Sequence, residues 1–362
     1  MEKIRLITFH TPKNYGAVLQ ALSLMNALTK YSDDVKVIDY NTPKLRSAYP
    51  LIERPQSFKG VIVSMLNLPH YFKNKRRHER FDDFVKNNLI LTERFESTED
   101  LYNYDWGGCT FVTGSDQVFN PGRIVDERKA FYLGFVPDAN KKISYAASFG
   151  VKNIDDEKKE EICDYIERFD ALGVREVSGA QIISDLLGKD AQVLMDPVFL
   201  NDVDFWKNYA SSPKKVKGEY LLYYRLMGAK ICDSEIIELA KKLKLKLVII
   251  TSSFINPAIK ATILRDVGPS EFLWLYEHAS YVATDSFHGI AFSIIYKKQF
   301  VFLDRNYATN DRGLNLLSLL GIKESAYIDS YSCDNKIDYA AVDQRLSLKR
   351  KECLDYLEKN CT

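Results

Sequence analysis

The spacing of apolar residues changes period again and again along the chain, and each change marks an element. "IRLITFH" near the start is a short apolar run bounded by the turn-forming "TPKNYG", which predicts a buried strand. Directly after it, "AVLQALSLMNALTK" places Val18, Ala21, Leu22, Met25 and Leu28 at helical spacing. "VKVIDY" returns to strand. Strand, helix, strand is a βαβ unit, which implies a parallel sheet. Residues 41–105 are less regular and hold one basic helical stretch, "NLPHYFKNKRRHERFDDFVKN". Strand signals resume at "CTFVTGSDQVF" and "KKISYAASFG". The charged helix "DDEKKEEICDYIERF" leads into "DALGVRE", and "VSGAQIISDLLG" reads as a helix ahead of the strand and loop of "AQVLMDPVFL".

The polar stretch 207–218, "KNYASSPKKVKG", reads as a loop entering a second sheet. The pattern then restarts: "EYLLYYRL", "KLVIITS", "YVATDS" and "FVFLD" read as strands. "SEIIELAKKL", "SEFLWLYEHA" and "HGIAFSIIYK" read as the helices between them. The tail "DYAAVDQRLSLKRKECLDYLEKN" predicts a closing amphipathic helix. The expected architecture is two similar α/β domains with a cleft between them as the default site.

Composition narrows the class. The chain has 362 residues, 46% of them apolar, which suits two soluble globular domains. Lys+Arg 50 against Asp+Glu 49 leaves no global bias toward nucleic acid or acidic lipid. The six cysteines form no C-x-x-C pair, and no metal-ligand cluster is evident. "MEKIRLITFH" reads as a core strand rather than a signal peptide, and no apolar run approaches the 18 residues of a membrane span. A reducing cytoplasm is the expected compartment.

Ligands of parallel sheets bind beyond the carboxyl ends of the strands. The polar residues that follow apolar runs are therefore the candidates: His10 to Gly16, Thr113 to Gln117, Ser148 to Gly150, Arg175 and Glu176, Thr251 to Ser253, and Thr284 to His288. "TDSFHG" opens a helix, whose first N–H groups are unpaired donors at the positive end of a dipole. That suits an anion, with His288 beside it to donate a hydrogen bond or a proton. The alternative is that Ser286 only caps the helix and His288 fills a boundary niche. Arg175 in "VRE" suits a carboxylate or phosphate held at two points, or else a structural ion pair. Arg305 and Arg312 in "RNYATNDRG" carry the same two readings. In "GSDQVFNPG", Asp116 suits a base, and Gln117 and Asn120 suit sugar hydroxyls; turn chemistry accounts for the same residue types. "NYG" at 14–16 could cradle a ligand ahead of its helix. The run of Lys73, Lys75, Arg76, Arg77 and Arg80 is either a solvated helix face or a contact for an anionic membrane surface or a diphosphate carrier. No Walker-A, H-E-x-x-H or G-x-S-x-G motif occurs, which argues against a P-loop NTPase, a zincin and an α/β-hydrolase.

"NYGAVLQALSL", "FVTGSDQVFNP", "ISYAASFG", "VRE", "VLMDPVFL", "GPSEFLWLYEHASYVATDSFHGIAFSI" and a later arginine followed by "LLSLLGI" occur in one order from Thr8 to about Ile322. Read together they resemble the polysaccharide pyruvyl transferase family. The "SFHG" block with its preceding "GPSEFLWL" is the most specific part; residues 41–105 and the tail after 325 carry no resemblance. The resemblance implies an α/β, GT-B-like fold of two Rossmann-type domains, their parallel sheets facing across a cleft. The expected bounds are 1–175 (acceptor side), 176–335 (phosphoenolpyruvate side) and a helix at 336–362 that packs back on the first domain. It implies transfer of a pyruvyl group from phosphoenolpyruvate to a sugar of an exopolysaccharide, a capsule or a precursor, forming a ketal. Neither cofactor nor metal is required. His288 and Asp116 are the expected catalytic residues. Arg175, Ser286, His288, Gly289 and Arg312 are expected to hold phosphoenolpyruvate, and Asn14, Tyr15, Gly16, Ser115, Gln117 and Ser148 the saccharide acceptor. The acceptor is free, nucleotide-linked or lipid-linked; the basic 73–80 run favours a lipid-linked one at the inner membrane face. The rival readings are a GT-B nucleotide-sugar glycosyltransferase and a silent carbohydrate-binding protein.

Overall fold

The computed structural model describes residues 2–47, 71–122, 127–225, 233–251, 259–303, 311–326 and 336–362. Its elements begin with β1 (Lys3–Ile7), α1 (Tyr15–Leu28), β2 (Val35–Tyr40), α2 (Pro43–Ser47), α3 (Tyr71–Asn88), β3 (Leu91–Phe95), α4 (Thr98–Asn103) and β4 (Cys109–Thr113). There follow α5 (Arg128–Phe131), β5 (Lys142–Ala147), α6 (Asp156–Ile166), β6 (Ala171–Val174), α7 (Val177–Leu187), β7 (Gln192–Val193) and α8 (Val203–Lys207). The remainder is β8 (Tyr220–Tyr224), α9 (Asp233–Lys242), β9 (Lys246–Ile250), β10 (Thr262–Leu264), α10 (Pro269–His278), β11 (Tyr281–Thr284), α11 (Phe287–Ile295), β12 (Phe300–Phe302), α12 (Asp311–Leu320), α13 (Lys323–Ala326) and α14 (Tyr339–Cys361). Among the described residues, no helix is long and apolar enough to cross a membrane.

The chain divides into two compact units. The first comprises Met1–Tyr49, Val85–Asn201 and Ser347–Thr362; the second comprises Pro50–Phe84 and Asp202–Leu346. The first unit holds a seven-stranded sheet in the order β3-β2-β1-β4-β5-β6-β7, every pair parallel. Its central strands β4 and β5 are buried along their whole length, as a sheet covered on both faces requires. α1 follows because Asn14 accepts hydrogen bonds from Gly16 N and Ala17 N and so caps it. Every residue of α1 except Asn26 is buried. The second unit holds a five-stranded sheet in the order β10-β9-β8-β11-β12, again parallel throughout. Its core is anchored by Trp206, fully buried with its ring edge on Phe292 at 5.1 Å.

Two boundaries differ from the sequence expectation. The first unit runs on past Arg175, because α7 returns to pair β7 with β6. β7 is two residues long and exposed, so it carries no apolar run to announce it. Residues 71–84 belong with the second unit rather than the first. The closing helix is attached to the first unit from Ser347 onward. There Tyr356 donates to Ser144 O at 2.9 Å, and Met195 N donates to Cys353 Sγ at 3.3 Å.

Candidate active site

Strand register builds the carboxyl edge of the second sheet. Tyr224 lies opposite Ile250 and Thr284, Ile250 opposite Leu264, and Thr284 opposite Phe302. The next residues therefore form one row across five strands: Arg265, Thr251, Arg225, Asp285 and Leu303. Three backbone bonds continue the ladder into this row, Arg225 N to Ile250 O at 3.3 Å, Thr251 N to Leu264 O at 3.2 Å and Leu303 N to Thr284 O at 2.9 Å. Residues in register lie on one face, so these five share it with Tyr223, Ile249, Ile263, Ala283 and Val301. The strand order turns back between β8 and β11, which puts Arg225 and Asp285 at the point where α/β sheets bind ligands. Arg225, Arg265 and Asp285 are all buried. Burial, and then the like charge of Arg225, push the Arg265 guanidinium below the ordinary arginine value. An anion at this edge would relieve both.

Neither arginine was singled out from sequence. Arg225 closes the apolar run "EYLLYYRL", and the rule that selected Arg175, the first polar residue after a strand, selects it as well. Arg265 follows a three-residue strand too short to read from pattern.

The start of α11 lies beside Arg225. Ser286 is extended and accepts a hydrogen bond from Gly289 N at 3.3 Å; its own N–H donates to Thr284 Oγ1 at 3.1 Å. Ser286 thus caps the helix, as the simpler sequence reading has it. His288 is buried in the first turn, its ring edge-on to Phe287 at 5.1 Å. Gly289 has a steric reason: a Cβ there would stand 2.0 Å from Thr284 Oγ1 and 2.8 Å from Thr284 Cβ. Thr284 is fully buried and β-branched, so it has nowhere to move. Gly289→Ala is accordingly expected to cost about 1–3 kcal/mol by overpacking. Denaturant unfolding measures this; a change under about 0.5 kcal/mol would show that α11 can lift from β11. Arg312 is half-buried in the first turn of α12, and Arg305 lies outside the described residues.

The first unit gathers a different set. Asp116 takes a left-handed conformation, φ +65°, and its carbonyl accepts from Val118 N and Ser148 N. Its carboxylate lies 2.8 Å from Gln117 N and 3.8 Å from Arg175 Nη2. Arg175 also meets Glu176 at 3.3 Å and Asp196 at 2.8 Å, with only 3% of its side chain exposed. Burial works against its charge, but Glu176, Asp196 and Asp116 outweigh that and hold its pKa above the ordinary value. Ser148 donates to Glu176 at 2.6 Å, and Asp196 accepts from Val198 N at 3.1 Å. The result is one guanidinium among three carboxylates. Asp116, with 22% of its side chain exposed, is the most accessible of them.

The residues assigned to the acceptor divide. Asn14 caps α1, Tyr15 and Gly16 are buried within it, and Ser148 serves Glu176. The Ser115 hydroxyl donates to Ala146 O at 2.8 Å, and its backbone N–H donates to Gln20 Oε1 at 3.0 Å. Gln117 is only half-buried, and its Oε1 accepts no hydrogen bond. His10, at the end of β1, is buried between Thr8 O at 3.1 Å and Asp39 Oδ1 at 3.2 Å. Burial raises the Asp39 carboxyl, yet His10 and Arg94 bring it below the usual carboxylate range.

The basic run of α3 is largely engaged at home. Arg76 pairs with Asp266 at 3.1 Å and Arg80 with Glu271 at 3.1 Å, while Arg77 lies over the Phe81 ring at 5.0 Å. Arg80 also donates to Asp266 O at 2.6 Å, so α3 braces the residue next to Arg265. Among the described residues, no group of three His, Cys, Asp or Glu side chains is placed to hold a metal ion.

Comparison with known proteins bears on the whole chain. No curated protein matches it. A structure of UDP-GlcNAc 2-epimerase from Neisseria meningitidis bound to UDP-GlcNAc aligns over 100% of this chain and 94% of its own, at 11% identity and a TM-score of 0.50. UDP-GlcNAc 2-epimerase from Methanocaldococcus jannaschii aligns over 97% and 93% at 12% identity and a TM-score of 0.44. The glycosyltransferase SnogD from Streptomyces nogalater aligns over 100% and 99% at 12% identity and a TM-score of 0.40. At such identities the likeness speaks to fold, and the fold is GT-B-like, built of two Rossmann-type units. The model of one family, described as polysaccharide pyruvyl transferase, matches residues 14–307, a span that takes in Arg175, Arg225, Arg265 and His288. The chain belongs to the polysaccharide pyruvyl transferase family.

Proposed function

We propose that the protein transfers the pyruvyl group of phosphoenolpyruvate to two hydroxyls of one saccharide, releasing phosphate and leaving a ketal. The observation that carries this reading is the second sheet's carboxyl edge, where Arg225 and Arg265 stand in one row beside the helix start that holds His288. Phosphoenolpyruvate bears a phosphate and a carboxylate on adjacent atoms. Guanidinium groups and helix N-termini are the groups that hold such anions.

In this reading His288 donates a proton as the donor's methylene becomes methyl, which leaves a cationic central carbon. A first sugar hydroxyl attacks that carbon and gives its proton to a base. Phosphate departs with its bonding electron pair. The second hydroxyl then closes the ring and loses its proton. Fixed positive groups are worth most where charge develops, so Arg225 and Arg265 would act chiefly on the departing phosphate. Arg312 and the Ser286 hydroxyl are further donors toward the same group. Arg175 would take an anion only by giving up its long contact with Asp116.

Thermal unfolding of the wild type and of Arg225→Gln, each with and without phosphoenolpyruvate, tests the donor. A ligand at a hundredfold excess over its Kd stabilises by about 2.7 kcal/mol, a rise of about 5–10 °C for units of this size. The rise is expected in the wild type and lost in Arg225→Gln. A rise with a UDP-sugar but none with phosphoenolpyruvate would replace this reading with a nucleotide-sugar glycosyltransferase.

A further inference from the structure

Of the two arginines proposed to hold the donor, Arg265 has less of the sheet beneath it. Arg225 follows the central strand β8, whereas β10 is three residues long and lies at the edge of the sheet. The last register pair of β10 is Leu264 with Ile250, so Arg265 stands one residue past the ladder, with a neighbouring strand on one side only. From there Asp266, Val267 and Gly268 lead to α10, and all of them are buried.

The helix α3 holds that connection. Arg80 Nη1 donates to Asp266 O at 2.6 Å and lies 3.1 Å from Glu271 Oε1. Glu271 Oε2 in turn accepts from Gly268 N at 3.0 Å, at the cap of α10. Arg76, one helical turn before Arg80, takes the Asp266 carboxylate at 3.1 Å. The Asp266 and Glu271 side chains are only 11% and 13% exposed, so these pairs are screened less than ion pairs on an open surface. The Arg80 stem lies against the backbone: a Cβ on Gly268 would stand 2.7 Å from Arg80 Cβ and 3.5 Å from Arg80 Cδ. One side chain therefore touches the connection at both Asp266 and Gly268. The helix that carries it is itself anchored, since Phe81 and Phe84 are buried and the Phe84 ring lies 6.2 Å from Tyr209. A guanidinium on a long stem is placed no better than the backbone beneath it. A misplacement of about 1 Å in a group that positions substrate costs up to about 10²-fold in rate.

We propose that Arg80 is a positioning residue for the donor, holding the chain after β10 so that Arg265 keeps its place in the row with Arg225. The identity of the donor rests on the function proposed above; the brace does not.

Phosphoenolpyruvate titration and amide hydrogen exchange on the full chain test it. Arg80→Met keeps the stem on Gly268 and removes the donors, while Arg80→Lys restores a positive donor. In Arg80→Met, the phosphoenolpyruvate concentration that gives the half-maximal rise in Tm should increase about tenfold. The amides of 265–268 should exchange about tenfold faster, with exchange in β8 and β11 unchanged. Arg80→Lys should recover part of both. A purely structural contact would lower the unliganded Tm and leave the titration midpoint where it is. A midpoint in Arg80→Met within about twofold of wild type would therefore overturn the proposal, and so would faster exchange spread over the whole second unit. No rise with phosphoenolpyruvate in the wild type would remove the donor reading, and inorganic phosphate, the simplest anion for the same arginines, then replaces it as the probe. A phosphate midpoint raised in Arg80→Met would retain the brace. An equal midpoint, or no rise with phosphate in the wild type either, would reject it.

Discussion

His288→Ala is expected to slow pyruvyl transfer by about 10²–10⁴-fold, the range that a positioned general acid supplies. His288 stands in the first turn of α11, beyond the end of β11 and one strand from Arg225. Protonating the methylene carbon of the donor is the hard step in ketal formation, because carbon is a poor base and the proton must arrive as the central carbon becomes cationic. The ring can do this without moving its backbone, which Ser286 and Thr284 hold at the cap. The loss should fall on kcat more than on KM for phosphoenolpyruvate, because the arginines proposed to hold the donor are untouched. Phosphate release in single-turnover mixing reads this directly. A rate within threefold of wild type, with transfer intact, would remove His288 from the chemistry.

Arg175→Met is expected to destabilise the protein by about 3–5 kcal/mol, the cost of leaving buried charges without their partner. Glu176, Asp196 and Asp116 would face one another around a neutral side chain, and two of the three are almost fully enclosed. At roughly 2–4 °C per kcal/mol, Tm should fall by about 6–20 °C. Asp196→Asn added to Arg175→Met should restore part of the loss. A Tm change under about 2 °C would mean that the three carboxylates are relieved without Arg175.

The same arginine shows where sequence reading stops. "VRE" identifies Arg175 as the first polar residue after a strand, and the structure keeps it there, at the end of β6. One partner, Glu176, is the next residue; the other two carboxylates are 59 residues upstream and 21 downstream, brought in by the parallel stacking of β4 and β5 beside β6 and by the turn after β7. Only that stacking makes the position an ion-pair hub. The basic run of α3 repeats the lesson, since Asp266 and Glu271 are nearly 200 residues away in sequence.

What the sequence determined alone is what local periodicity and local turn chemistry can encode. The two α/β units, most of their strands, the Ser286 cap and the family-bearing "SFHG" turn all follow from residues within one helical turn or one strand of each other. Tertiary structure decided which of those polar strand ends stand side by side. Register places Arg225 and Arg265 in one row although 40 positions separate them, and the sheet order brings Thr42 to Glu127 across β1. Neighbours across a parallel sheet are set by crossover connections of tens of residues, and no window of sequence contains both partners.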